Sequence, residues 1–472
     1  MAATRCFVTA LLKRAEGTLT TRGAFLGART VTTTSDPQLQ RKTQEQAVNQ
    51  DTQVSEQQKR NEDVGQFTEL VRDFLDPKDF YGSIRDHNMD FFCGVPDSLL
   101  KDFCAYVTAT TPKSNHIITA NEGQAIALAS GYHMATGKAA VVYLQNSGLG
   151  NIVNPLMSLA VPGVYSIPML LLVGWRGEPG KRDEPQHQVQ GQATPGFVME
   201  ATEPEDIAEK VTAMRKIDGP VLLEIKCNKG GHYIVVFQAL YTARKHMETT
   251  KSPYCLLVRR QNFLPYKLES EPELYPLNRE GVVKVIVDSL HDRDVVVGTT
   301  GMLSRELFEY RVAKGQGHEK DFLTVGSMGH ASAIALGIAK FRPKRQVFCL
   351  DGDGSALMHM GNMSTIGQEE SKNLKHIIIN NGCHDSVGGQ PSVGGSENFS
   401  FLGIAKACGY AAVMEATEPE DIAEKVTAMR KIDGPVLLEI KCNKGGRKDL
   451  GRPTRSPQQN KKDFMHFLAI DH

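Results

Sequence analysis

None of the nine cysteines forms a C-x-x-C pair. That argues against a zinc ribbon or a disulfide scaffold and fits a reducing compartment. Charge bias is missing as well. The 54 basic and 54 acidic side chains cancel, so nothing global points to nucleic acid or a membrane surface as partner. Unbroken apolar runs of membrane-spanning length are also missing. The longest apolar stretch, Leu156–Trp175, contains Pro162, Gly163 and Pro168. It reads as a helix end, a turn and a buried strand. Acids are scarce at the amino terminus. Residues 1–35 carry Arg5, Lys13, Arg14, Arg22 and Arg29 against Glu16, and are rich in Thr and Ala. That is the composition of a mitochondrial transit peptide, with a disordered basic arm as the plainer alternative. Large apolar residues are scarce in the Gln-rich residues 36–65, which bury too little surface to fold and read as a linker.

Core-forming sequence begins near Phe67. "AAVVYL" and "SIPMLLLVGW" are continuous apolar runs, and "RDVVVGTTG", "RQVFCLDGDG" and "LKHIIINNG" repeat a pattern of basic or polar entry, four or five apolar residues, then Gly and polar residues. Such runs suit strands buried on both faces, and helical stretches separate them. The fold class is therefore α/β, with mostly parallel sheets flanked by helices. Residues 268–280 carry Pro272, Pro276 and several acids and read as an interdomain linker. Two domains follow, 66–267 and 281–446, with 447–472 as a carboxyl tail.

One repeat interrupts this plan. Val198–Gly231 recurs letter for letter at Val413–Gly446. Each copy reads as a helix, a Gly-Pro turn and a strand. Solenoid repeats are divergent and adjacent; an identical, distant pair is a recent duplication or a gene-model error. The first copy is the expected insertion, because "QALYTARKHM" and "PYCLLVRR" after it already supply a helix and a strand.

The stretch "CLDGDGSALMHMG" holds the densest chemistry. A strand ends at Asp351 and a helix-like run starts after Gly354. Parallel folds bind ligands at such junctions, where helix N–H groups converge on an anion. Gly352 and Gly354 let the backbone approach a phosphate, and Asp353 offers magnesium a hard oxygen. The next strand ends in Asn380-Asn381-Gly382. Its Asn381 amide oxygen and the Cys383 carbonyl would extend that oxygen shell. An EF-hand loop fits poorly, because Ala356 replaces the sixth-position glycine. A dinucleotide loop fits poorly, because Leu357 replaces the third glycine. An ordinary turn with solvated acids remains open on these residues alone.

Gly-Asp-Gly followed after 25 residues (355–379) by Asn-Asn resembles the signature of thiamine diphosphate enzymes. "FFCGVPDSLLKDFC", "ANEGQAIALASGYHMATG", "YLQNSGLGNIVNP", "LLVGWRGEPGKRDEPQHQ", "TVGSMGHASAIALGIA" and "NNGCHDSVGGQPS" extend the likeness. Together they resemble the phosphonopyruvate decarboxylase family, with sulfopyruvate decarboxylases as nearest relatives. The likeness runs from about Phe67 to Leu450, except the first repeat copy. It implies a pyrimidine-binding domain followed by a diphosphate-binding domain. It implies thiamine diphosphate and magnesium as cofactors, and Asp353, Asn381 and the Cys383 carbonyl as magnesium ligands. Gly352, Gly354, Ser355, Thr300 and Gly301 would then touch the diphosphate. Met328 would wedge the cofactor into its bent shape. Glu122 would hydrogen-bond the aminopyrimidine and favour its imino tautomer.

The resemblance also puts Asp97 at the active-site edge, although capping a helix explains it as simply. It puts His384 and Asp385 over the reacting carbons. Arg176, Arg182 and His187 lie in a Gly/Pro-rich loop and would suit a phosphonate dianion; a solvated loop explains them as well. His133 reads as structural. The implied reaction is decarboxylation of the 2-keto acid 3-phosphonopyruvate to phosphonoacetaldehyde. The implied assembly is a homodimer or larger homo-oligomer, with active sites between subunits. Sulfopyruvate decarboxylation, a related carboligation and a non-catalytic chain damaged by the repeat are the alternatives.

Residues 1–35 fused to a fluorescent reporter should carry it into mitochondria. A diffuse cytosolic signal would contradict the targeting expectation.

Overall fold

The computed structural model describes residues 74–194, 199–201, 221–225, 232–269, 272–447 and 449–470. The expected targeting segment, 1–35, and the expected linker, 36–65, lie outside the described residues. So does most of the first repeat copy.

The apolar runs become parallel strands. The first sheet uses β1 (Phe92–Gly94), β2 (His116–Ile118), β3 (Ala140–Gln145), β4 (Met169–Gly174), β5 (Met199–Ala201), β6 (Val221–Ile225) and β7 (Tyr254–Val258). Their order is β2-β1-β3-β4-β7-β6-β5, parallel throughout. Side chains alternate between two cores, as the period of a strand requires. Val141 and Tyr143 join one core, Val142 and Leu144 the other.

The second sheet uses β8 (Val295–Gly298), β9 (Asp321–Leu323), β10 (Val347–Gly352), β11 (Leu374–Asn380), β14 (Ala412–Ala416) and β15 (Val436–Lys441). A short antiparallel pair, β12 (Cys383–His384) and β13 (Gln390–Pro391), hangs beside it. The order β14-β15-β11-β10-β8-β9 is again parallel throughout. Phe348 and Leu350 face one core, Val347 and Cys349 the other. Among the described residues no helix is long and apolar enough to cross a membrane.

Two boundaries differ from the sequence expectation. The expected linker 268–280 runs into a helix, because Arg279 and Glu280 form the first turn of Arg279–Asp288. Asn278 caps that helix by accepting from the Gly281 N–H at 3.0 Å. The expected tail contains the helix Pro457–Ala469, which buries Asn460, Phe464 and Leu468. Asn460 replaces a missing strand neighbour at the edge of the sheet. Its Oδ1 accepts from Leu323 N and its Nδ2 donates to Asp321 O.

The two repeat copies form the same parallel pair in the same register, Met199 opposite Leu223 and Met414 opposite Leu438. Both copies supply the last two strands at one end of a sheet. The first adds β6 beside β7 and β5 at the edge, and β7 keeps its own place beside β4. The second adds β15 beside β11 and β14 at the edge. Its Ile422, Val426, Met429, Val436, Leu438 and Ile440 are core residues. Residues outside the copy are fitted to it. Lys375, buried in β11, donates to Lys372 O (3.0 Å), Ile432 O (2.7 Å) and Gly434 O (3.0 Å). Two of those carbonyls belong to the second copy. Arg430 ion-pairs with the buried Asp294.

Deleting 198–231, with the junction adjusted, should therefore keep activity and leave the melting temperature unchanged or higher. Deleting 413–446 should unfold the second domain. Burial of each large aliphatic side chain contributes roughly 1.5–3 kcal/mol against a domain margin of roughly 5–15 kcal/mol. Calorimetry of both deletions checks this; the reverse pattern would show that the first copy is the indispensable one.

Candidate active site

Strands β10 and β11 pair with Gly352 opposite Ile379. Their carboxyl ends therefore open on one edge, and the turns 352–355 and 380–385 lie side by side. A pocket of about 80 Å³ occupies that edge. Thr300, Met328, Gly352, Asp353, Gly354, Ser355, Asn381, Cys383, His384 and Asp385 line it, all of them expected from the sequence. Thr299, Met302, Arg279 and Ser386 also line it and were not expected.

Asp353 opens the helix Asp353–Met358 and is 3% exposed. Burial pushes its carboxyl up to about 6, against the pull of the Ser392 hydroxyl and the backbone N–H of Gly354. Ser392 Oγ donates to Asp353 Oδ2. Ser355 ties three loops together. Its hydroxyl hydrogen-bonds to Thr299 Oγ1 at 2.8 Å and accepts from Gly329 N at 3.0 Å. Gly354 has a steric reason: a Cβ there would stand 2.8 Å from His384 Cε1 and 3.5 Å from Met328 Cε. The floor of the pocket is thus backbone, overhung by His384 and Met328.

The Asn pair divides its work. Asn380 faces inward, donating to Gly394 O and Glu439 Oε1, both at 2.7 Å. Asn381 faces the pocket, donates to Asp385 Oδ2 at 2.6 Å and accepts from Cys383 N at 3.3 Å. A carboxylate, an amide oxygen and a turn carbonyl form a hard-oxygen donor set, which suits magnesium and not a soft metal. Burial lowers His384 to about 4. At neutral pH it presents a neutral imidazole to the pocket.

Six expected site residues are not among those lining this pocket. Glu122 is the first residue of the helix Glu122–Thr136 in the first domain and is 5% exposed. Asn151 Nδ2 donates to its Oε2 at 2.7 Å. A carboxylate at a helix start is ordinarily solvated; this one is sequestered and keeps only a designated partner. Asp97 is a cap. It accepts from Leu99 N (3.0 Å), Leu100 N (3.2 Å) and Gln145 Nε2 (2.5 Å). It is fully buried, and burial raises its pKa. It does not line the pocket.

Arg176 corrects a second expectation. Its guanidinium fork is filled by Asp183, at 2.8 and 2.5 Å, and its third arm donates to Ser98 Oγ at 3.0 Å. A paired guanidinium is not poised for a dianion. Arg182 is exposed. Burial lowers His187 to about 4, so it too is uncharged at neutral pH. Gly301 begins the helix Met302–Ala313 with a left-handed φ of 97°. His133 Nδ1 donates to Lys138 O at 3.0 Å near the end of its helix, a structural role.

Sequence reasoning missed Arg279, Glu306, Ser392 and Asn151. Arg279, Ser392 and Asn151 each partner an expected site residue from elsewhere in the chain, and Glu306 holds Arg279 in turn. No local spacing announces such partners.

Comparison with known proteins gives a consistent picture. Residues 78–195 match the family model described as thiamine pyrophosphate enzyme, N-terminal TPP binding domain. Residues 297–440 match the C-terminal TPP binding domain. The chain is 31% identical over 379 residues to a phosphonopyruvate decarboxylase of Streptomyces viridochromogenes, covering 80% of this chain and 90% of that one. It is 31% identical to a phosphonopyruvate decarboxylase of Streptomyces hygroscopicus, with the same coverage. A sulfopyruvate decarboxylase of Methanosarcina acetivorans is 26% identical, over 82% of this chain and 96% of that one.

Asp353→Ala should abolish cation-dependent binding of thiamine diphosphate in calorimetric titrations. The apo protein should be no less stable at pH 8. A carboxyl whose folded pKa is raised by burial costs stability once pH exceeds that pKa, so its removal relieves a strain. In the wild type, cation-dependent affinity should fall as pH drops through about 6, where Asp353 takes up a proton. Undiminished affinity in Asp353→Ala would sink the assignment.

Proposed function

Since the chain belongs to the thiamine pyrophosphate enzymes and is a decarboxylase of the phosphonopyruvate/sulfopyruvate type, we propose that its substrate is 3-phosphonopyruvate, converted with magnesium to phosphonoacetaldehyde and carbon dioxide. One observation carries this reading: the Gly352-Asp353-Gly354 and Asn380-Asn381 turns share one pocket, in a chain most like two phosphonopyruvate decarboxylases among the relatives described above. Thiamine diphosphate, when bound, supplies the electron sink for the bond that loses carbon dioxide. The chain supplies position and polarity. Asp353, Asn381 and the Cys383 carbonyl would hold magnesium. The backbone of 352–355, with Thr300, would take the diphosphate. Met328 would press on the cofactor, and neutral His384 would offer a hydrogen bond above it without adding charge.

Glu122 is buried in the first domain and is not among the residues lining this pocket. We therefore infer that a second copy of the chain delivers its Glu122 to the pocket, in a homodimer or larger assembly. A carboxylate held away from water by Asn151 would then meet a ring nitrogen instead of solvent, which strengthens the hydrogen bond. On the composition of residues 1–35 we place the enzyme in mitochondria.

Sulfopyruvate decarboxylation is the second reading, favoured by the Methanosarcina relative. The two substrates differ by a dianionic phosphonate against a monoanionic sulfonate. Turnover of phosphonopyruvate, sulfopyruvate and pyruvate, with cofactor and magnesium supplied, separates them. Phosphonopyruvate should lead in kcat/KM by about tenfold or more, the scale on which one site discriminates close analogues. Preference for sulfopyruvate would reverse the assignment, and no turnover of any of the three would favour a non-catalytic chain.

A further inference from the structure

Asp385 lines the pocket, yet its carboxylate is already engaged on both oxygens. Arg279 Nη1 donates to Oδ2 at 2.8 Å, and Asn381 Nδ2 donates to the same oxygen at 2.6 Å. The Cys383 thiol and the Gly445 N–H donate to Oδ1, both at 3.1 Å. Arg279 is fixed in turn. Its other two arms grip Glu306 at 2.9 Å each, and Glu306 is 1% exposed. The chain of contacts Glu306–Arg279–Asp385–Asn381 therefore crosses from two helices to the strand-end turn. A free acid that moves protons over a substrate needs an unoccupied face, and Asp385 has none to spare.

The contacts have a directional consequence. A carboxamide is nearly symmetric in shape but not in chemistry: one end donates, the other accepts. Asn381 can rotate its amide by half a turn at little steric cost. An ionised Asp385 can only accept hydrogen bonds, so it selects the NH2 end of Asn381. The oxygen is turned the other way. Among the described residues the donor to that oxygen is Cys383 N, at a long 3.3 Å, which leaves a lone pair over. Arg279 holds Asp385 stationary, and it offsets a negative charge that otherwise stands close to Asp353.

We propose that Arg279 and Asp385 are positioning residues that set the amide of Asn381, so that its oxygen faces the divalent cation accompanying the cofactor. The proposal rests on the decarboxylase reading, because that reading supplies the cation. It reassigns Asp385 from proton handling to orientation. It also gives the buried Arg279–Glu306 pair a purpose beyond stability, which buried pairs by themselves seldom improve.

The test uses the full chain with saturating thiamine diphosphate and Mn2+ as probe, free Mn2+ being read by electron paramagnetic resonance. Asp385→Leu keeps the approximate size of the side chain and removes its acceptors, so nothing selects the NH2 end of Asn381. It should weaken Mn2+ binding about 10–100-fold, the usual effect of losing a partner behind a metal ligand. In Asp385→Asn the amide oxygen can still meet both Arg279 and Asn381, which share one oxygen of Asp385, so that variant should keep most of the affinity. Arg279→Lys, which keeps the charge but loses the fork, should lose less than Asp385→Leu. A purely structural role would lower the melting temperature of both Asp385 variants and leave them equal in holding Mn2+. Equal Mn2+ affinity in wild type and Asp385→Leu, or a loss in Asp385→Asn as large as in Asp385→Leu, overturns the proposal. If the wild type shows no cofactor-dependent Mn2+ binding at all, the decarboxylase reading itself falls and takes the proposal with it.

Discussion

The in-register parallel pairing of β10 with β11 is the constraint on which the pocket depends. Gly352 stands opposite Ile379, so Asp353 and the Asn380-Asn381 pair leave the sheet together. A slip of one residue would exchange the two faces of a strand and send one turn to the wrong side. The register is guarded from both ends. Lys375 spends its ammonium on three carbonyls at the entry of β11, and Asn380 clasps Glu439 and Gly394 at its exit. These are buried polar groups with designated partners. They tolerate no other alignment, because an unpaired donor in a dry interior costs more than a formed bond returns.

The pocket is built from groups that a stability optimum would avoid. Asp353 is a carboxylate pushed toward neutrality by burial. His384 is a histidine deprived of its charge. Perturbed groups gather at functional sites because chemistry needs them perturbed. The surrounding ion pairs are what make this tolerable: Arg279 with Glu306 and Asp385 behind the pocket, and Arg311 with Asp321 deeper in the second domain.

The duplicated segment separates sequence from context with unusual clarity. The same letters form the same strand pair in the same register in both places. In the second domain that segment is met by Lys375, Asp294 and Asn380, side chains suited to its turn, its helix and its strand. In the first domain it stands outside β7, in a sheet that already has its helix–strand unit. Local propensity decides that the segment forms strands. It says nothing of whether a place in a core awaits them.

Architecture and the pocket floor were legible from the letters alone. Apolar runs ending in glycine mark doubly buried strands, and Gly-Asp-Gly with Asn-Asn at a fixed distance marks two strand ends. Both are local signals, set by the period of a strand and the needs of a turn. What stayed hidden was partnership. Asp385 looked like an acid free for chemistry until Arg279 was found across it. Arg176 looked like an anion site until Asp183 filled its fork. The helix Pro457–Ala469 was missed as a tail until Asn460 was seen replacing the neighbour β9 lacks. Which side chains are spent on one another is decided only when distant segments meet, because hydrogen bonds and ion pairs are satisfied in space and sequence separation does not limit them.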